Sequence, residues 1–268
     1  MRVLNRSMRQ PLASLLTVCL LVCSTAHADE PRAPNADEIA RRTLRADSFS
    51  WEGSKVRLRL TLIDAGGKSI ERRMEVLGRR AADGLQTVIR FLSPADISGT
   101  AFLTIERKDG AAEQYIYLSG LKRTRRIVGR EREGSFMGSD FSYADMQRID
   151  PKHVENVRLA DEAVGQDACF VLESRIAEAA GAPYAKIVTW VRKTDFVALR
   201  TRFHDRAGKL VKTLYARRVE QRDGRPVVVD ARMQSAANGH ATELVVESIE
   251  RRDDLSDAMF TPAALEHL

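Results

Sequence analysis

From Trp51 onward, apolar and charged residues alternate with a period of two along most of the chain. Val56, Leu58, Leu60 and Leu62 alternate with Arg57, Arg59 and Thr61, the pattern of a strand with one buried and one wet face. Ala65-Gly66-Gly67-Lys68 predicts a turn. Met74 and Val76 then alternate with Arg73 and Glu75, Ala82-Asp83-Gly84 turns again, and Leu85, Thr87, Ile89 and Phe91 form the next apolar row. Strands follow at about 100–107, 113–118 and 122–128, with Lys108-Asp109-Gly110 between the first two. The second half repeats the style at 155–163, 168–176, 184–192, 197–205, 210–221, 227–236 and 241–250. Its turns are Gly165-Gln166-Asp167, Arg206-Ala207-Gly208-Lys209, Asp223-Gly224-Arg225-Pro226 and Asn238-Gly239, the last being the strongest hairpin signal.

Helical spacing is confined to the ends. Residues 29–36 form a polar, Pro-containing lead-in. Asn35 is a candidate N-cap with Glu38 three residues on. Ala36, Ile39, Ala40, Thr43 and Leu44 fall on one stripe, and Arg41, Arg42 and Arg45 face away. Thr261 and Pro262 open a short C-terminal helix. No helical pattern separates the strands, which excludes doubly wound and (β/α)8 folds. The pattern therefore predicts a mainly β protein. Its large antiparallel sheet curls on itself, and the apolar face becomes either a lined cavity or a core.

The N-terminus carries a different signal. Arg2, Arg6 and Arg9 precede the apolar stretch Leu12 to Val22, and Ala26-His27-Ala28 is an A-x-A site. Together these predict a secretory signal cleaved after Ala28, with residues 29–268 as a single periplasmic domain. Val18 and Val22 before Cys19 and Cys23 argue against lipidation. Of the net charge of +6, half leaves with the signal, whose three arginines face no acid, so the mature charge is +3 and no nucleic-acid partner is implied. At 44% hydrophobic, the chain is too apolar to be disordered. Cys169 is the one cysteine left after cleavage. It reads as a small buried strand residue between Ala168 and Phe170.

Candidate chemistry is sparse. His153, His204, His240 and His267 are scattered without metal-ligand spacing, and no nucleophile elbow, P-loop or dinucleotide fingerprint is present. Two segments stand out. Lys122-Arg123-Thr124-Arg125-Arg126-Ile127, with Arg130 and Arg132, reads either as a charged edge strand or as a surface for anionic headgroups or an acidic partner. Residues 134–146 pack Phe136, Met137, Phe141, Tyr143 and Met146 between glycines, serines and aspartates, with no regular period. Such a segment folds onto the core or closes over an apolar cavity as a flap, with Gly134 and Gly138 letting the backbone move. Its Asp and Ser read as turn formers that bond neighbouring backbone.

The segment Ser135-Phe136-Met137-Gly138-Ser139-Asp140-Phe141-Ser142-Tyr143-Ala144-Asp145-Met146 resembles a signature of bacterial outer-membrane lipoprotein-sorting-like proteins, the LolA-like family in its longer form typified by a spirochaete domain. Phe91 to Leu103, Tyr117 to Arg123 and Leu255 to Thr261 resemble it too, in order, over nearly all of the predicted mature chain. The resemblance implies an unclosed half-barrel with helices covering an apolar concave face. It implies carriage of lipid or acylated lipoprotein across the periplasm, without cofactor, metal or catalytic residue. Implied partners are an inner-membrane transporter of the RND type or an outer-membrane acceptor, with the chain itself a monomer. On that reading Phe136, Met137, Phe141, Tyr143 and Met146 cover the cavity and touch cargo, and Leu58, Leu60, Phe91 and Trp190 line it. Two alternatives stand beside it: a periplasmic hydrolase using Asp140 and Asp145, and a structural partner in an envelope complex.

Overall fold

The computed structural model describes residues 32–46, 53–108, 110 and 112–267. The predicted signal with its Ala28 site, Trp51, and Asp109 of the predicted turn lie outside the described residues. Chain contacts separate Met1–Ala33 from Pro34–Leu268, and every element below belongs to the second unit.

Among the described residues thirteen strands form one antiparallel sheet. They are β1 (Ser54–Ile63), β2 (Ser69–Ala81), β3 (Gly84–Ser93), β4 (Ala101–Arg107), β5 (Ala112–Leu118), β6 (Arg123–Ile127), β7 (Val154–Val164), β8 (Asp167–Ile176), β9 (Lys186–Arg192), β10 (Ala198–His204), β11 (Leu210–Arg222), β12 (Arg225–Ser235) and β13 (Ala241–Arg251). Every strand that the alternation predicts is present. In space the order is β6-β5-β4-β3-β2-β1-β13-β12-β11-β10-β9-β8-β7. Two meanders thus meet at a β1–β13 seam in mid-sheet. The consecutive strands β6 and β7 lie at opposite edges, unpaired with each other, so the half-barrel is unclosed. Register shifts in β1, β2, β7, β10 and β11 add local twist and help so wide a sheet curl.

Directly paired residues share a face. Leu62, Thr242, Met233, Leu214, Thr201, Thr189 and Leu172 form one ladder from β1 through β13 to β8 and define the inner face. Helix α1 (Ala36–Arg45) covers one end of it. The Glu38 N–H donates to Asn35 Oδ1 at 2.9 Å, as the cap motif predicts. Ile39 is fully buried against Phe170, Leu172, Val191 and Phe196. Leu44 departs from the predicted stripe and stays exposed. Arg42, predicted to face away, places its guanidinium 3.7 Å above the Phe196 ring.

On the outer face, Leu77, Val88 and Leu103 are covered by Phe260 and Leu265. A 3-10 turn, Asp257–Phe260, precedes the predicted C-terminal helix, which is itself only a second 3-10 turn, Ala264–Glu266. Thr261 caps the second: the Ala264 N–H donates to its Oγ1 at 3.2 Å. Asp223 and Gly224, both with positive φ, make the tight two-residue hairpin turn between β11 and β12. Asn238-Gly239 instead sits in a five-residue loop closed by the Ser235 N–H donating to His240 O, with Asn238 Oδ1 accepting from the His240 N–H.

Candidate functional site

The rest of the inner face is occupied by the chain itself. Residues 128–153 leave β6 at one edge, cross the hollow and enter β7 at the other edge. At the centre of this crossover, residues 134–143 fold into a small hairpin. The Phe136 N–H donates to Phe141 O at 2.7 Å and the Tyr143 N–H to Gly134 O at 3.1 Å. Met137 and Gly138, both with positive φ, form its tip. Arg72 on β2 donates a guanidinium hydrogen bond to Met137 O. Gly138 therefore serves a fixed turn, and Gly134, at φ −64°, needs no glycine freedom.

This hairpin brings together all but one of the predicted lining residues. Phe136 is 2% exposed. Its ring centroid lies 5.9 Å from Phe91, 5.3 Å from Phe102 and 5.6 Å from Tyr143. Met137, Phe141, Tyr143 and Met146 pack on the same cluster, which includes Leu58, Leu60 and Phe91. Trp190 is not among them. It points to the opposite face from its neighbour Val191, packs with Cys169, Val171 and Val188, and donates from Nε1 to Glu162 Oε2 at 2.7 Å. The Arg200 guanidinium lies 3.7 Å above its ring. Cys169 is fully buried there, as read from its neighbours, and burial pushes its thiol pKa up.

Three further polar side chains fasten the crossover to the inner face. Gln114 on β5 donates from Nε2 to Tyr143 O at 2.7 Å. Thr242 on β13 donates to Asp140 Oδ2 at 2.7 Å and accepts from the Asp140 N–H at 2.9 Å. Lys212 on β11 donates to Asp140 O at 3.0 Å and pairs with the Asp145 carboxylate. Asp145 also accepts from Tyr184 Oη at 2.8 Å and from the Ser142 N–H at 2.6 Å. Burial and the Asp145 charge push the Tyr184 phenol pKa well up, so it stays a donor. The sequence reading did not single out Gln114, Lys212, Thr242 or Tyr184. The first three were marked by a polar residue in the apolar phase of their strand: Gln114 before Ile116, Lys212 before Leu214, Thr242 before Leu244.

These contacts correct one expectation. Asp140 was read as a local turn former, yet its carboxylate reaches Thr242, a long-range tether; Ser135 and Ser139 do bond neighbouring carbonyls. The two acids weighed as a hydrolytic pair are each held by donors. The apolar part of the face is filled by the crossover, and two cavities flank it. One of about 240 Å³ lies beside Asp140, Tyr184 and Lys212, and one of about 420 Å³ beside Arg132, Gln147, His153 and Tyr184.

Comparisons with known proteins agree with this architecture. A family model described as uncharacterized protein-like matches residues 83–267. The crystal structure of a domain described as an outer membrane lipoprotein-sorting protein, from Vibrio parahaemolyticus, is 30% identical over 87% of this chain and all of its own, with a TM-score of 0.79. A DUF1329 family protein from Desulfovibrio piger is 26% identical with the same coverage and a TM-score of 0.78. A LolA superfamily protein from Nitrosomonas europaea shares the fold at 18% identity, covering 85% of this chain and 98% of its own, with a TM-score of 0.67. No curated protein matches the chain. With its half-barrel, its crossover and a relative of this identity covered end to end, the chain belongs to the outer membrane lipoprotein-sorting-like family.

Proposed function

We propose that the protein is a periplasmic carrier that takes up lipid, or the acyl chains of a lipoprotein, on its inner face. The observation that carries this reading is the nature of the occupant. The apolar face of β1–β6 is covered by a tethered apolar segment rather than by regular structure. Phe136, Met137, Phe141, Tyr143 and Met146 hold the place of an alkyl chain, and Leu58, Leu60 and Phe91 form the surface beneath. Each methylene buried contributes about 0.8 kcal/mol, so roughly ten would match a micromolar affinity before the cost of moving the hairpin. Cargo entry therefore requires the Thr242 and Lys212 tethers to let go. The role is binding rather than catalysis. Delivery to or from an RND-type inner-membrane transporter, or to an outer-membrane acceptor, fits the family resemblance.

The test is mass spectrometry of lipids extracted from the purified protein, with titration of a fluorescent fatty-acid analogue. Lipid should co-purify, and Thr242→Val, which loosens one tether, should raise uptake of the analogue. Absence of extracted lipid together with no fluorescence change in either protein would overturn the proposal.

A further inference from the structure

We propose that the β6 edge is a docking surface for an anionic lipid bilayer. Residues 122–133 hold six cations and two acids. Elsewhere on the sheet, arginines sit in ladders with carboxylates. Arg59 and Arg73 both reach Glu71 and Glu247, and Arg217 and Arg232 share Glu243. At the β6 edge the balance fails. Arg125 pairs with Glu131 and Arg126 with Glu113, but Lys122, Arg123 and Arg130 have no carboxylate partner among the described residues.

Edge protection alone accounts for the charges. It does not account for the apolar residues beside them. Leu121 is 71% exposed and Val128 is 50% exposed, at the two ends of the strand. Cations flanking protruding aliphatic side chains match an anionic interface, where headgroups meet the charges and the aliphatic tips enter the acyl boundary. The opposite edge has no such excess: on β7, Glu155 pairs with Arg175, Asp161 with Arg158 and Lys193, and Glu162 with Arg200. An anionic surface therefore attracts the β6 edge more than the β7 edge, which orients the molecule. The crossover also leaves the sheet directly after this edge, so docking places the bilayer at the rim of the hollow. The proposal extends the carrier reading without resting on it.

The experiment is co-sedimentation of the protein with vesicles of phosphatidylglycerol and phosphatidylcholine, against vesicles of phosphatidylcholine alone, at low and high salt. Binding should require the anionic lipid and weaken with salt. Each of Lys122→Glu, Arg123→Glu and Arg130→Glu should reduce it about fivefold or more. Arg251→Glu, the same charge change on the seam strand β13, should leave it unchanged. An environment-sensitive dye on Leu121→Cys, with Cys169 buried, should shift to the blue on anionic vesicles alone. Equal binding to both vesicle types would overturn the proposal, as would equal loss in Arg251→Glu. So would capture of an acidic polypeptide without vesicle binding, or self-association of β6 against β7 in its place. Uptake of free fatty-acid analogue is read separately, so a failure here is distinguishable from failure of the carrier role.

Discussion

Lys212 shows how much one residue can decide. A lysine this buried is sustained by Asp145 and Asp140 O. Removing one member of a buried pair typically costs 3–5 kcal/mol, because the other is left uncompensated. Tyr184 and the Ser142 N–H still serve Asp145, so Lys212→Met should lose about 3 kcal/mol in urea unfolding, and Lys212→Met with Asp145→Asn should lose less. A loss within experimental error for the single variant would mean that the pair does not hold the crossover down. Gln114, Lys212 and Thr242 were visible in the sequence as breaks of phase. Their partners were not, because Asp140 lies 102 residues from Thr242 and nothing local relates the two.

At the scale of elements, the strands were legible because alternation is a local consequence of having one wet face and one dry face. The Asn35 cap was legible for a similar reason. The crossover was not. Its apolar side chains are presented by a miniature hairpin and by the 3-10 turn Tyr143–Met146, neither of which imposes a long period. Flap and core, the two readings of residues 134–146, describe one arrangement here: a loop that serves as core. Phe136→Ala should therefore cost about 3–5 kcal/mol by removing a ring packed on Phe91, Phe102 and Tyr143. The vacated space lies where the proposed cargo sits, so a long-chain fatty acid should raise the melting temperature of this variant more than that of the parent protein. Equal shifts would separate the cavity from the cargo face.

For the whole molecule, alternation and turns predicted about a dozen consecutive antiparallel strands joined as hairpins, but not the β1–β13 pairing, which joins distant segments. Electrostatics also act at this scale. Hydrogen bonds from Tyr115 and Arg107 hold Glu113 below the usual carboxylate range, and Arg217 does the same for Glu243. Burial lowers the His204 pKa, so it is kept neutral. All three bind protons more readily unfolded than folded, so stability rises with pH through each range. On acidification the His204 contribution is lost first, as pH falls below the ordinary value of 6.5, and the two glutamates follow below 4.5. The urea midpoint should fall in those two steps, and His204→Gln should flatten the first. A midpoint that rises on acidification would contradict the assignment.

The seam between β1 and β13 also sets an order of assembly. The neighbouring hairpins can zip locally, whereas pairing Ser54 with Arg251 must wait for the last strand and bear the largest loop-closure entropy. Until then β1 is an open edge. Its unpaired backbone amides and carbonyls flank Val56, Leu58 and Leu60, and the cations that guard β6 in the finished sheet are elsewhere. The time of greatest risk of strand exchange between copies is thus before completion, and the vulnerable place is the middle of the future sheet rather than either of its final borders.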